Sequence, residues 1–222
     1  MTSLILYGAE PSPFVRKVRL ALAFKQLDYE LIQVFPFNPE KPQAFIDNSP
    51  TGQIPLLAFG DDYITDSSVI LNFLEREYPE PALLPKDNIA AARAMWFAEY
   101  ASSKMVAALG GHLFAEMYLA RAFFNREPLQ SDIDLALNEE IPEIFTYLET
   151  QLNSNYLVAE QFTLADLVVG GMLVLLKHCK VKCDANKWPK VAAYIDRVHA
   201  LPIFTKIIDE ETEILRSYGL DI

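Results

Sequence analysis

Ser12 stands between two prolines in EPSPFVRKVRLAL, Glu10 to Leu22, where an amphipathic pattern begins. A serine there has two uses. As an N-cap, its oxygen accepts from an N–H of the first turn, and Pro13 takes the first helical position, where a missing N–H costs nothing. The same helix end presents unpaired N–H groups and a partial positive charge. A thiolate or carboxylate bound there is stabilised, and the hydroxyl can donate to it. Two further stretches have this character. In SPTGQIP, Ser49 to Pro55, Thr51-Gly52 suits a tight turn and Ile54-Pro55 enters a strand, where proline has no ladder N–H to lose. A cis Ile54–Pro55 bond would leave the Ile54 backbone facing outward. In TDSSVI, Thr65 to Ile70, a second helix start places the Ser67 N–H and hydroxyl where a carboxylate can be held. Taken singly, each motif is also explained by a cap or a plain loop. Two caps and a proline-terminated loop within one βαβ-ββα module carry more weight.

Other chemistry-bearing residues point elsewhere. FTLADL, Phe162 to Leu167, reads as folding machinery: Thr163 caps, Asp166 closes an acidic capping box, and Phe162 and Leu167 form a hydrophobic staple. His178, Cys179 and Cys183 lack a fourth ligand cluster, so buried thiols near a helix end are expected and no metal site. His112 and His199 lack the serine or cysteine context of a hydrolase triad, and no glycine-rich phosphate loop is present.

The elements that must position these residues follow from periodicity. Leu4 to Tyr7, ended by Gly8, suits a buried strand. From Pro13 a helix follows with Phe14, Val18, Ala21 and Leu22 on one face and Arg16, Lys17 and Lys25 mostly away from it. Tyr29 to Val34 alternates as a second strand. A loop from Pro36 to Pro42 and a short helix at Gln43 to Ile46 come next. PLLAFGDDYITDSS reads as a hairpin, Leu56 to Phe59 and Tyr63 to Thr65, and a helix then runs to Tyr78-Pro79. PEPALLPKDN carries three prolines and separates a βαβαββα domain over residues 1–79 from an all-helical domain over 89–222, with 80–88 as linker. In the second domain helices are expected over Ala90 to about Phe124, as one long segment or as two broken at Gly110-Gly111, and over Asp132–Leu152, Thr163–His178, Val191–Leu201 and Ile203–Arg216.

Composition bounds the function. The 222 residues are 51% hydrophobic, enough for a sizeable core, and no run of about 18 uncharged apolar residues predicts a membrane span. The formal net charge of −11 disfavours nucleic acid and anionic membrane as partners, though local basic groups can still serve a small acidic ligand. The N-terminal stretch lacks the basic region of a secretory signal, and two cysteines imply no disulfide framework, so the expected location is cytoplasmic.

Together SPFVRKVRLAL, NSPTGQIPLL, TDSSVILNFLE and FTLADL occur in the order and spacing of the glutathione transferase superfamily, and the chain resembles it over nearly its whole length. The resemblance implies an α+β architecture, a thioredoxin-like N-terminal domain followed by an all-helical domain, and a homodimer. Ser12-Pro13-Phe14 is similar to the serine-type classes and their bacterial relatives. By position, the resemblance implies that Ser12 donates to the glutathione sulfur, with Phe14 beside it. Ile54, next to a cis-Pro55, would pair with the cysteinyl part. Asp66 and Ser67 would hold the γ-glutamyl end, and Gln53 and Lys41 would lie near the glycyl end. Tyr7 is the alternative donor, since tyrosine-type classes use a tyrosine at the end of the first strand. Asp66 stands where many members carry Glu, and no cysteine lies near Ser12, unlike the classes that form a mixed disulfide. The second substrate, a small hydrophobic electrophile, would meet the sulfur between the domains. Its wall would be WFAEYASSKMVAALGGHLF, where Tyr100, Ser103, Lys104 and Ala107 share one helical face. The implied activity is conjugation of the glutathione thiolate, with glutathione as co-substrate and no metal. A non-catalytic binding protein and glutathione-dependent peroxide reduction are the alternative uses of the same site.

Overall fold

The apolar run Leu4–Gly8 forms β1 in the computed structural model, which describes residues 2–35 and 37–222. The first unit, Met1–Ala82, continues with α1 (Pro13–Phe24), β2 (Glu30–Gln33), α2 (Gln43–Asn48), β3 (Leu56–Phe59), β4 (Asp62–Thr65) and α3 (Ser67–Glu77). This is the expected βαβαββα order. The sheet order is β2-β1-β3-β4, with β1 and β2 parallel and the other two pairings antiparallel. Of the loop expected from Pro36 to Pro42, Pro36 lies outside the described residues.

The buried side of α1 is broader than its periodicity indicates. Arg16, Lys17, Arg19 and Lys25 are all buried, so the helix has no solvated basic face. Arg16, Lys17 and Lys25, set by periodicity mostly away from the apolar face, are enclosed nonetheless, because each cation is given polar partners within the fold. Arg16 donates to the Pro11 carbonyl at 3.3 Å, and Arg19 to the Tyr29 hydroxyl at 3.0 Å. Lys25 Nζ bonds the carbonyls of Tyr78 and Pro81 and the carboxylate of Glu75, the last at 2.7 Å. The start of the proline-rich segment is thereby pinned to the first unit.

Helix α1 also sits close to β1. A Cβ at Gly8 would fall 2.5 Å from Val15 Cγ2, and a β-branched side chain buried in a helix has little freedom to yield. Gly8→Ala is therefore expected to cost about 1–3 kcal/mol by overpacking. Urea denaturation measures it, and an unchanged midpoint would show that α1 can lift off β1 freely.

The second unit, Leu83–Ile222, is all-helical. It comprises α4 (Asn88–Tyr100), a π-helical stretch (Ala101–Leu119), the single turn α5 (Ala120–Ala122), α6 (Gln130–Leu135), a second π stretch (Ala136–Glu140), α7 (Ile141–Gln151), α8 (Leu164–His178), α9 (Pro189–His199) and α10 (Pro202–Ser217). Of the two readings of Ala90 to about Phe124, the unbroken one holds, with no break at Gly110-Gly111. The chain winds on through both glycines with i→i+5 hydrogen bonding, and Ala120 N–H still bonds the Ala115 carbonyl. Such winding usually appears as single turns at functional places. Buried residues still repeat at three and four, through Ala94, Phe97, Ala101, Met105, Leu109 and Leu113. No helix among the described residues is long and apolar enough to cross a membrane.

Candidate functional site

The sheet register brings the first-unit candidates to one end. Tyr7 pairs with Leu56, and Leu56 pairs with Thr65. The exit of β1, the entry of β3 and the exit of β4 are therefore neighbours. Ser12 and Phe14 follow the first, Gln53, Ile54 and Pro55 precede the second, and Asp66 and Ser67 follow the third. Gly8 also pairs with Gln33 in the parallel register, so the segment carrying Lys41 leaves β2 from the same end.

At that end Ser12 is the N-cap of α1, half-buried, and its oxygen accepts from the Val15 N–H at 3.5 Å. This long bond uses an oxygen lone pair and leaves the O–H hydrogen for another acceptor. Asp66 is the N-cap of α3, in a left-handed conformation with φ 67°, and its Oδ1 accepts from Ser68 N–H at 2.7 Å and Val69 N–H at 3.2 Å. Its carboxylate is thus already engaged with its own helix. Ser67 is buried at the first helical position. Ile54–Pro55 is a cis bond, and Ile54 lies before the ladder that begins at Leu56. Its backbone is therefore placed where an extended ligand can pair with it. Gln53 is exposed, and Lys41 Nζ lies 5.9 Å from the centre of the Phe45 ring.

Tyr7 is in a different environment. It is 5% exposed, its ring centre 6.4 Å from that of Phe45, in an apolar cluster with Val34, Leu56 and Ala58. Burial, then Tyr63 and Glu30, push its phenol above the ordinary value.

One residue at this end escaped sequence reasoning. Lys17 Nζ, on α1, donates to Ser68 Oγ at 3.0 Å on the first turn of α3, and it lies 5.7 Å from the centre of the Phe14 ring. It ties the two helix N-termini together. The signal was present: Arg16 and Lys17 stand near a helix N-terminus, where cations oppose the dipole and an anion is favoured.

In the second unit, Ser103 and Ala107 are exposed and Tyr100 and Lys104 half-buried, so all four lie off the packed side of their helix. Ser103 Oγ bonds the Glu99 carbonyl at 2.8 Å, and Lys104 pairs with Glu143 at 3.1 Å. Tyr100 packs on Tyr147 with ring centres 4.9 Å apart, and burial pushes its phenol up to about 12. These residues belong to a different unit from Ser12.

The remaining candidates have architectural partners. His178 pairs with Glu211 at 3.0 Å inside the core, and His112 with Glu140 at 2.7 Å. Burial pushes the Cys179 thiol up to about 12 and that of Cys183 up to about 11, which removes thiolate nucleophilicity near neutral pH. Among the described residues no group of three or more His, Cys, Asp or Glu is arranged to hold a metal ion.

Comparison with known proteins agrees with the geometry. Residues 6–82 match the family of the glutathione S-transferase N-terminal domain, and residues 115–208 that of the glutathione S-transferase C-terminal domain. Glutathione S-transferase Z1 of Arabidopsis thaliana is 30% identical over 214 residues, covering 93% of this chain and 91% of that protein. A glutathione S-transferase from Rhodospirillum rubrum superposes with a TM-score of 0.82 at 26% identity, covering 92% of this chain and 91% of that one. A glutathione transferase homologue from Drosophila mojavensis, crystallised with bound glutathione, has a TM-score of 0.78 at 29% identity and covers 98% of each chain.

Proposed function

This chain belongs to the glutathione S-transferase family, and on that footing we propose that it binds glutathione at the β1–β3–β4 end of the sheet and transfers its thiolate to small hydrophobic electrophiles. The observation that carries this reading is the convergence, at one sheet end, of an unspent Ser12 O–H, two helix N-termini and the Ile54 backbone. Ser12 donates to the sulfur and favours the thiolate, with Phe14 beside it. Ile54, entering cis-Pro55, pairs with the cysteinyl backbone. Asp66 and Ser67 receive the γ-glutamyl end, and Gln53 and Lys41 lie toward the glycyl carboxylate. Tyr7 supports the sheet from the core and leaves the donor role to Ser12.

The chemistry is attack by sulfur on the electrophile's carbon, as a displacement or an addition. The thiol proton passes to solvent, the thiolate forms a C–S bond, and either a leaving group departs with its electron pair or the new carbanion takes up a proton. No covalent bond to the protein forms. Tyr100, Ser103, Lys104 and Ala107 form the electrophile's wall in this reading. A cytoplasmic homodimer belongs to the same proposal, and sedimentation in solution tests the dimer.

Calorimetry tests the reading. One glutathione per chain is expected, and no binding at millimolar ligand would remove it. A panel of aryl halides, enals and hydroperoxides then gives the reaction class. Ser67→Ala is expected to raise the KM for glutathione about tenfold with kcat within about twofold, since a hydrogen bond to a charged group contributes roughly 1.5–3 kcal/mol and the Ser67 N–H remains. An unchanged KM would remove the Ser67 hydroxyl from the γ-glutamyl contact.

A further inference from the structure

Helix α3 begins with most of its donors taken. Oδ1 of its N-cap, Asp66, accepts from both the Ser68 and the Val69 N–H. Of the N–H groups in the first turn, that leaves the one of Ser67 for an anion. The Asp66 carboxylate also repels a second carboxylate brought beside it. A carboxylate held at this helix start therefore needs a positive charge from outside α3.

Lys17 of α1 supplies that charge. It is 2% exposed, and its Nζ donates to Ser68 Oγ at 3.0 Å. Phe14 flanks the ammonium, its ring centre 5.7 Å away. An ammonium can only donate, so Ser68 Oγ is the acceptor and the Ser68 O–H hydrogen remains for another acceptor. Hydrogen bonds in series strengthen one another, and burial of the cation increases the effect. Ser68 itself is exposed, so a ligand can reach its hydroxyl. Among the described residues Asp66 Oδ2 accepts no hydrogen bond, unlike Oδ1.

Resting on the glutathione reading above, we propose that Lys17 and Ser68 make the γ-glutamyl end selective for a carboxylate. Ser68 donates its O–H to the α-carboxylate of the γ-glutamyl group. Lys17 is the positioning residue: it fixes Ser68 Oγ, polarises the hydroxyl, and offsets the negative charge of Asp66. Asp66 Oδ2 remains for the ammonium of the same group.

Calorimetry of the full chain with two ligands tests this. One is glutathione, and the other is its analogue with the γ-glutamyl α-carboxylate converted to a carboxamide. Wild type is expected to bind the carboxamide at least tenfold more weakly than glutathione. Ser68→Ala is expected to weaken glutathione about tenfold, the effect of one hydrogen bond to a charged group, and the carboxamide less than threefold. Lys17→Met is expected to show the same contrast. A merely structural role for either residue would weaken both ligands alike. Ser68→Ala, at an exposed position, carries the test if Lys17→Met fails to fold. Equal losses for the two ligands, a glutathione affinity unmoved in Ser68→Ala, or a wild type that binds both ligands equally would overturn this assignment alone. Glutathione left unbound by wild type would instead remove the reading on which it rests, and the assignment with it.

Discussion

Ser12→Ala is expected to lower kcat/KM about 10- to 100-fold near neutral pH, with the fold retained. The magnitude follows from the donor. A hydrogen bond to a charged acceptor contributes roughly 1.5–3 kcal/mol, and each 1.4 kcal/mol is about tenfold in rate. A free thiol, with a pKa of about 8.5, is only a few per cent thiolate near pH 7. A donor held at the sulfur lowers that value by about one to two units, since one unit is about 1.4 kcal/mol. Removing it returns the thiol toward its ordinary range, so the pH–rate profile should move to higher pH. The deficit should narrow once the pH passes the raised value. Stability should change little, because the Ser12 cap bond to Val15 N–H is long, 3.5 Å, and such a cap sits at the lower end, about 0.5 kcal/mol, of what caps contribute. The alternative donor gives the contrast. Tyr7 is packed against Phe45 in the core, so Tyr7→Phe should retain the activity within about twofold, a loss well below that of one hydrogen bond to an ionised sulfur.

The largest effect on stability is expected at Asp166, in the capping box of α8. Its Oδ1 accepts from Leu157 N–H at 2.9 Å, and its Oδ2 from Thr163 N–H at 2.9 Å and the Thr163 hydroxyl at 3.1 Å. Asp166→Ala strands two buried backbone donors, and each unsatisfied donor costs about 1–3 kcal/mol, so a loss of about 3–5 kcal/mol is expected in mildly acidic buffer. The pH dependence has a definite sign. Burial raises the Asp166 carboxyl from its ordinary 3.8 to about 6, and the hydrogen bonds from Leu157 and Thr163 hold it from rising further. A carboxyl raised on folding stabilises fully below its unfolded value and loses that contribution as pH rises through the folded one. The gap between wild type and Asp166→Ala should therefore narrow by up to about 3 kcal/mol between pH 4 and pH 7. Paired urea titrations across that range measure it. A gap that widens with pH would show that the buried carboxylate is favoured when charged.

The sequence motifs and the structure meet most closely where the information is local. Ser12-Pro13, Asp66-Ser67 and Thr163–Asp166 are helix starts whose capping chemistry lies within four residues, and each heads its helix. The convergence of Ser12, Ile54 and Ser67 was not readable from any one of them. It depends on the Tyr7–Leu56–Thr65 register, a long-range pairing. The burial of the basic residues of α1 was not readable for a related reason. Periodicity sets Arg16, Lys17 and Lys25 mostly off the apolar face, and the fold then encloses them with carbonyls, a hydroxyl and a carboxylate, most of them from distant segments. Gly110-Gly111 suggested a break, yet a glycine pair inside a packed helix interrupts it only if a neighbour supplies something better to bond. The nearest groups to a Cβ at Gly110 are the apolar side chains of Val106 and Leu175.

The central claim is that the Ser12 hydroxyl sets the ionisation of glutathione's sulfur, and titrating the bound thiol tests it most directly. Thiolate absorbance of glutathione on the wild-type protein is predicted to give a pKa about one to two units below that of the free thiol, and on Ser12→Ala a value returned by about the same amount. A bound thiol with the same pKa in both proteins would contradict the account.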